Sequence, residues 1–417
     1  MKVLLLGGGG REHALGWKLA QSPLLTELIS APGNPGLASL GRLADIDVLD
    51  PTGVTAFATR EGVDLVVVGP EAPLAAGVAD ALIEAGIRVF GPSAAGARLE
   101  SSKAYAKEIM FRAGVPTGSA ETFTDLEAAT AHLDAIDGPY VVKADGLAAG
   151  KGVLVTDDLD AAKAWAGACL AGVFGEAGAT VVVEEYLSGR EVSVFALVDG
   201  TRAIPLEPAR DYKRLRDGDK GPNTGGMGCF SPVSDLPRSL VENTMTTVVS
   251  PVLETLRSDG VEYRGFLYVG LVLTDDGPRV LEFNARLGDP ETQVILPRLE
   301  EDLLTLLAAG AAGDLPTEPL RWSERTAVDV VLASKGYPEK RKKPKEISGL
   351  EEAGQLPNTL IFQAGTGHDD DALVTSGGRV LNVVGLGDTL ETARETAYEA
   401  AAIIDFKGKQ LRTDIGT

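Results

Sequence analysis

The sequence predicts an α/β protein, α+β in parts, and three observations carry the prediction. Over residues 1–100 short apolar strands alternate with helical patterns, the signature of βαβ units around a parallel sheet. Around 140–155 a strand, a glycine loop and a second β-branched strand follow one another, which reads as a hairpin flap. At 265–274 and 278–284 two longer apolar runs lie back to back, and the second ends in Glu282-Phe283-Asn284.

Within residues 1–100 the strands are 3–6, 28–30, 63–68 and 87–90, with helices at 11–21 and 75–85. They end in turn-rich loops at 7–10, 31–36, 69–73 and 91–93. Ligands of open α/β sheets sit beyond the carboxyl ends of strands, so all four loops are candidates. A helix from 103 to about 113 is broken by Gly114-Val115-Pro116-Thr117-Gly118. A compact unit follows, with helix 125–135, strands 140–144 and 153–155, helix 158–171 and strand 180–185. A larger mixed unit has strands at 191–198 and 202–206, a long loop 207–230, a helix 237–257 and the two strands that end at 284. A last section opens near 325 with a strand at 327–333, then 360–362, a hairpin over 373–384 around Gly377-Gly378, and a helix at 388–403.

Composition narrows the function. At 417 residues the chain is long enough for roughly two to four domains. A net charge of −21 argues against a nucleic-acid footprint and against docking on anionic lipid. It leaves room for anionic small molecules, which need only a local positive pocket. Cys169 and Cys229 are the only cysteines, as expected in a reducing compartment. No apolar run reaches the ~18 residues of a membrane span, and the opening run Met1-Lys2-Val3-Leu4-Leu5-Leu6 is too short for a signal peptide. A cytoplasmic enzyme is expected.

The candidate chemistry is concentrated in a few segments. Glu282 and Asn284 are two oxygen donors on one strand face, a pair able to hold a hard cation such as Mg²⁺ whose remaining shell is phosphate and water. Arg286, Asp289 and Glu291 follow in a Gly/Pro-punctuated loop, so a charged second substrate is expected beside that cation. Gly7-Gly8-Gly9-Gly10 follows a strand and opens a helix, and its amides can cradle a phosphate. It is not a dinucleotide fingerprint, because Glu12 stands where the third glycine belongs and no acidic residue ends the second strand. The run Lys143-Ala144-Asp145-Gly146-Leu147-Ala148-Ala149-Gly150-Lys151-Gly152 is not a P-loop, since its glycines are one residue too close and Gly152 replaces the Ser/Thr. Its amides and Lys151 can still close over phosphates, with Lys143 projecting from the strand before it. Glu184-Glu185-Tyr186-Leu187 and Glu191 could meet an adenine edge and ribose hydroxyls, although most acidic loops of this kind are merely solvated. The loop from Arg210 through Asp211, Tyr212 and Lys213 to Gly228 is longer than ordinary connections and is read as functional. His13, His132 and His368 form no zinc pattern, and the basic run 340–345 reads as a solvated loop.

In this order the segments resemble the ATP-grasp ligases, and among them the glycinamide ribonucleotide synthetase family, over nearly the whole chain. The resemblance rests on Gly9-Gly10-Arg11-Glu12-His13-Ala14, Ala31-Pro32-Gly33-Asn34, Val68-Gly69-Pro70-Glu71-Ala72-Pro73-Leu74, and the segments 143–152, 221–228 and 282–291. It implies an N-terminal substrate-binding domain at 1–102, an ATP-grasp domain at 103–322 with a mobile flap at about 117–188, and a small α+β domain at 323–417. It implies that ATP, glycine and 5-phosphoribosylamine give glycinamide ribonucleotide, ADP and phosphate through glycyl phosphate. The alternative is another ATP-grasp carboxylate–amine ligase with a phosphorylated substrate. Residues implied for ATP are Lys103, Lys143, Gly150, Lys151, Gly152, Glu184, Glu185, Leu187 and Glu191. Glu282 and Asn284 are implied for Mg²⁺ (or Mn²⁺), and Asp211, Lys213, Arg286 and Asp289 for acyl transfer. Gly9, Gly10, Asn34, Pro35, Gly36, Glu71, Asn223, Thr224, Gly225, Gly226 and Glu291 are implied for the other substrates. A monomer with no nucleic-acid or membrane partner is expected. The chain departs from the family's usual residues at Arg210, Tyr212, Ala285 and Leu287, and the strand 266–272 offers no acidic metal ligand.

Overall fold

The structure, a computed structural model, describes residues 1–148, 152–237, 239–339 and 343–417. Gly150 and Lys151, expected to touch ATP, and part of the basic run 340–345 lie outside the described residues. Three sheets organise the rest, and two short hairpins accompany them.

The first sheet is parallel, with strands in the order Arg42–Leu43, Glu27–Pro32, Lys2–Gly7, Leu65–Val68 and Val89–Phe90. Val3, Leu4, Leu5 and Leu6 are all fully buried, as a strand covered on both faces requires, which is why they read as an unbroken apolar run. The chain builds outward from Lys2–Gly7 on one side, then restarts at Leu65–Val68 on the other. The switch point therefore lies between the loops after residues 7 and 68. Two longer helices here were not expected from the sequence, Pro51–Glu61 and Ala94–Ser101, nor were the short Pro35–Ala38 and Glu71–Ala75. The first carried a legible signal: Asp50 caps it, Pro51 opens it, and Gly62 ends it at φ +65°.

The second sheet has four antiparallel strands in the order Ala120–Phe123, Val181–Glu184, Tyr140–Ala144, Val153–Thr156. Tyr140–Ala144 and Val153–Thr156 form the hairpin expected around the glycine loop.

The third sheet has nine strands. Gly277–Asn284, Arg264–Thr274, Arg190–Asp199, Ala203–Asp211, Gly228–Ser231, Thr326–Ser334, Arg379–Gly387 and Thr359–Gln363 lie side by side, and Lys409–Gln410 pairs off this path with Thr326–Ser334. The sheet runs unbroken past residues 322 and 323, because Gly228–Ser231 hydrogen-bonds to strands from either side of that point.

Three expectations are corrected. The loop 207–230 is not structureless: the preceding strand runs on to Asp211, Arg214–Arg216 pairs with Lys220–Asn223, and Gly228–Ser231 joins the large sheet. The helix 237–257 is Leu240–Thr244, a π-type turn at Met245–Val249, and Ser250–Ser258. Pro251 lacks the amide a continuous helix needs there, and the Thr246, Thr247 and Ser250 hydroxyls bond back to carbonyls instead. The segment 373–384 is not a hairpin. Ala372–Thr375 pairs backward with Thr366–Asp369 around a turn with Asp370 at φ +52°, while Arg379–Gly387 joins the large sheet. Gly377 marks a close backbone crossing, where a β-carbon would lie 2.7 Å from the Gly365 Cα.

Candidate active site

The strand Gly277–Asn284 carries the key residues, and one irregularity decides which way they face. Gly270 pairs with Glu282 but Leu271 pairs with Val280, so Leu281 is an extra residue in the ladder. Strand alternation alone would put Val280, Glu282 and Asn284 on one face. The bulge breaks that parity: Val280 and Phe283 both enter the core, while Glu282 and Asn284 share the opposite face. Opposite Glu282 stands Gly270, with no side chain to crowd it; a β-carbon there would lie 3.3 Å from the Glu282 Cγ.

Four cations converge on Glu282. Burial works against its charge, but Lys213, Lys143, Lys103 and Arg286 outweigh it and hold the carboxyl below the usual range. Lys143 projects from the second sheet, and its Nζ lies 2.9 Å from Glu184 Oε1. Lys107, unmarked by the sequence reading, lies 3.1 Å from Glu184 Oε2. The Glu184 carboxylate is thus held between two lysines, at 5% side-chain exposure. Glu185 is exposed and accepts the Ser119 amide at 3.0 Å. The Lys103 Nζ donates to the Gly146 carbonyl at 3.2 Å, and the Asp145 carboxylate accepts the Ala104 amide at 2.7 Å. The start of the glycine flap is thereby anchored on the helix Lys103–Arg112. Leu187 follows Glu184 in an irregular stretch, and Gly152 opens the returning arm of the flap.

A second cluster lies beside the first. The Lys213 Nζ is 2.8 Å from Glu191 Oε2 and 4.0 Å from Asp211 Oδ1. Burial raises the Asp211 carboxyl to about 7, Lys213 opposes this, and Glu291 and Glu191 add to it. Glu291 accepts a hydrogen bond from the Ser193 hydroxyl at 3.2 Å, and Ser193 meets the Tyr268 hydroxyl at 2.8 Å. Thr224 folds back on the Lys213 carbonyl through both its amide and its hydroxyl, at 2.8 and 2.7 Å, which sets the loop that carries Asn223, Gly225 and Gly226. The departure at Tyr212 has a structural account: its hydroxyl accepts the Gly416 amide at 3.0 Å, and the Arg412 guanidinium lies over its ring at 4.7 Å.

Arg286 links the strand end to the N-terminal sheet. Its Nη2 is 2.8 Å from Glu100 Oε1, its Nε is 3.4 Å from Glu71 Oε2, and its Nη2 also reaches Asn284 Oδ1 at 3.4 Å. Burial pushes the Glu100 carboxyl up, and Arg286 counters this. Nothing in the sequence around Glu100 marks it. At the switch point Glu12 accepts the Gly9 amide at 2.7 Å and pairs with Arg11 at 2.6 Å, while Arg11 donates to the Leu287 carbonyl at 3.1 Å. Gly9 faces Asp289, whose Oδ2 would lie 3.4 Å from a β-carbon placed on it. Gly10 is turned away, toward the buried Asn382 and Gln293. Asn34 caps the short helix Pro35–Ala38 and donates to the Gly8 and Gln363 carbonyls at 3.0 and 2.8 Å. Gly36 packs under the His13 ring with no space for a β-carbon.

His13 makes one of these junctions pH-sensitive. Its Nδ1 accepts the Gln363 amide at 2.7 Å, and burial lowers its pKa to about 4. The unfolded chain protonates near pH 6.5 and so binds more protons than the native state between pH 6.5 and about 4. Stability is full above that window and is lost as pH falls through it, by on the order of 2 kcal/mol at pH 5. Urea unfolding at pH 7.5 and pH 5 should show this loss, reduced by that amount in His13→Gln. An equal loss in the two proteins would exclude His13 as its source.

Three family models match successive parts of the chain. Models described as phosphoribosylglycinamide synthetase N domain, ATP-grasp (A) domain and C domain match residues 1–100, 101–292 and 327–417. A phosphoribosylamine–glycine ligase of Streptomyces coelicolor is 52% identical, covering 100% of this chain and 98% of the relative. One of Mesorhizobium japonicum is 49% identical with the same coverage. Among solved structures, the phosphoribosylamine–glycine ligase of Thermotoga maritima superposes with a TM-score of 0.86 at 39% identity over 100% of both chains. The biotin carboxylase domain of the Hydrogenobacter thermophilus 2-oxoglutarate carboxylase, in complex with MgADP and bicarbonate, gives 0.75 at 17% identity over 98% of this chain and 91% of that one, a likeness of fold.

Proposed function

The chain belongs to the phosphoribosylglycinamide synthetase family, and from that premise we infer that its cleft joins glycine to 5-phosphoribosylamine while ATP goes to ADP and phosphate. It is a ligase that forms a carbon–nitrogen bond in purine biosynthesis. The observation that carries the residue assignments is the convergence of Lys103, Lys143, Lys213 and Arg286 on Glu282, one loop away from the N-terminal switch point.

A carboxylate resists attack by an amine because its charge is delocalised and oxide is a poor leaving group. Transfer of the γ-phosphoryl of ATP to glycine removes both obstacles by giving glycyl phosphate. The protein's contribution is positioning and charge neutralisation. Lys143 and Lys103 meet the phosphates, with Lys143 aimed by Glu184. Glu185, Leu187 and Glu191 take the nucleoside end. Gly150, Lys151 and Gly152 close the flap against water, which otherwise hydrolyses the intermediate. Arg286, held between Glu100 and Glu71, is the cation for the glycine carboxylate. Glu291 and Asp211 face glycine's ammonium. Asp211, raised to about 7, is matched to take the proton that the attacking amine loses at neutral pH. Gly9, Asn34, Pro35, Gly36 and Glu71 form the side for 5-phosphoribosylamine, with Asn223, Thr224, Gly225 and Gly226 closing over it.

The residues present fit a divalent ion. Glu282 is ionised, Asn284 Oδ1 lies on the same face, and no group of three or more His, Cys, Asp or Glu side chains able to hold a metal ion exists among the described residues. Two protein oxygens suit Mg²⁺ (or Mn²⁺), which keeps most of its shell from phosphate and water. When bound, such an ion would offset charge on the phosphates. The proposal includes a division at residues 102 and 322, a cytoplasmic location and action as a monomer; no helix among the described residues is long and apolar enough to cross a membrane.

The test is ADP release measured over a panel of amino acids, with and without freshly made 5-phosphoribosylamine. Release that needs glycine and that amine together is expected. Release with another amino acid, or without the amine, overturns the reading.

A further inference from the structure

Arg379 opens the strand Arg379–Gly387, far in sequence from the turn at Gly225 and the loop at Asp289, yet it reaches both. Its Nη1 donates to the Asp289 carbonyl at 2.6 Å and to the Gly225 carbonyl at 2.8 Å, and lies 3.3 Å from Asp289 Oδ1. From the other side the Tyr337 hydroxyl accepts the Gly225 amide at 2.9 Å. One peptide unit on each side of Gly225 is thus held by a C-terminal side chain. There is no slack in the arrangement: a β-carbon on Gly225 would lie 3.0 Å from the Arg379 Cζ. Gly226 sits at φ +112°, where a side chain would be strained and would also collide with Pro290. The turn at 225–226, the Asp289-Pro290 corner and the guanidinium pack as one block.

That block bears on the N-terminal loop. Asp289 Oδ1 accepts from Gln293 at 2.9 Å and faces Arg379, while Oδ2 is turned toward Gly9 at the start of the helix Gly10–Leu19. An anion is favoured at that helix end. Burial opposes the charge of Asp289, and Arg379 and Arg11 more than offset it. The carboxylate therefore lies between the Gly9 turn and Arg379, with Arg379 holding it in place.

We propose that Arg379, with Tyr337 behind it, is a positioning residue for the 5-phosphoribosylamine side of the reaction: the C-terminal strand holds Asp289 and the Gly225 turn in the geometry that the amine substrate needs. The proposal rests on the ligase reading above. It is tested by steady-state ADP release with each substrate varied in turn. Arg379→Ala should raise the KM for 5-phosphoribosylamine by about 10- to 100-fold while the KM for ATP stays within about twofold. Arg379→Lys, which keeps the charge but not the planar fork, should recover part of the loss. Tyr337→Phe removes one oxygen and should raise the same KM by a few-fold, and it decides the matter if Arg379→Ala does not fold. An unchanged KM for the amine, an equal loss in kcat with every substrate, or a loss selective for ATP or glycine overturns the proposal. Absence of amine-dependent release in the unaltered protein overturns the ligase reading instead.

Discussion

Glu282→Gln is expected to lower turnover by roughly 10³-fold or more while leaving the fold intact. The substitution keeps the shape and removes only the charge around which Lys213, Lys143, Lys103 and Arg286 are gathered. ATP, itself an anion, can still be drawn to those cations, so its KM should change far less than kcat. What is lost is the anionic oxygen that, with Asn284, fits a divalent ion on the phosphates. Thermal unfolding followed by circular dichroism should stay within a few degrees, because Glu282 is half-buried and makes no hydrogen bond that the core depends on. ADP release near the unaltered rate in saturating Mg²⁺ would remove Glu282 from the site.

Arg286→Ala should damage two things at once. Glu100 loses its one ion-pair partner among the described residues, keeping the Ala285 amide at 2.7 Å, in a site where burial already pushes its carboxyl up. Removing one partner of a buried pair costs about 3–5 kcal/mol, so the urea midpoint should fall clearly. Glycine use should fall about 100-fold, with ATP binding little changed. The double variant Glu100→Gln/Arg286→Ala separates the two effects. It removes the stranded carboxylate and should regain much of the stability, but none of the glycine dependence. Recovery of glycine use in the double variant would make Arg286 a structural residue and nothing more.

Much of this was legible because the residues concerned sit at ends of elements. The parallel sheet declares itself through runs such as 3–6 and 63–68, whose strands are covered on both faces. The strand end at 282–284 declares itself through oxygen donors where apolar residues stop. Spacing alone, however, counted Glu282 and Asn284 as one face without seeing that Leu281 had to be an extra residue for Phe283 to reach the core. Glu100, Lys107 and Arg379 were illegible for a different reason. Each acts through a partner that is remote in sequence, and a lone charged residue in a helix or strand looks like any solvated one. The glycines at 377–378 were misread because a turn and a close chain crossing demand the same residue type.

The chain enters and leaves the unit at about 117–188 along two segments that run side by side. The Glu185 amide bonds to the Ser119 carbonyl at 2.9 Å, and beside them Thr117 bridges to Val280 through its hydroxyl at 2.7 Å. The large sheet, by contrast, pairs strands from either side of residues 322 and 323. In our proposal, where the unit at 117–188 is the mobile flap, this narrow strap is the expected pivot, as a jaw turns on its pin. Glu184, Glu185 and Leu187 lie in the pin itself. On that proposal a nucleotide seated there is gripped at the axis of rotation, and its departure and the swing of the jaw would be one mechanical event.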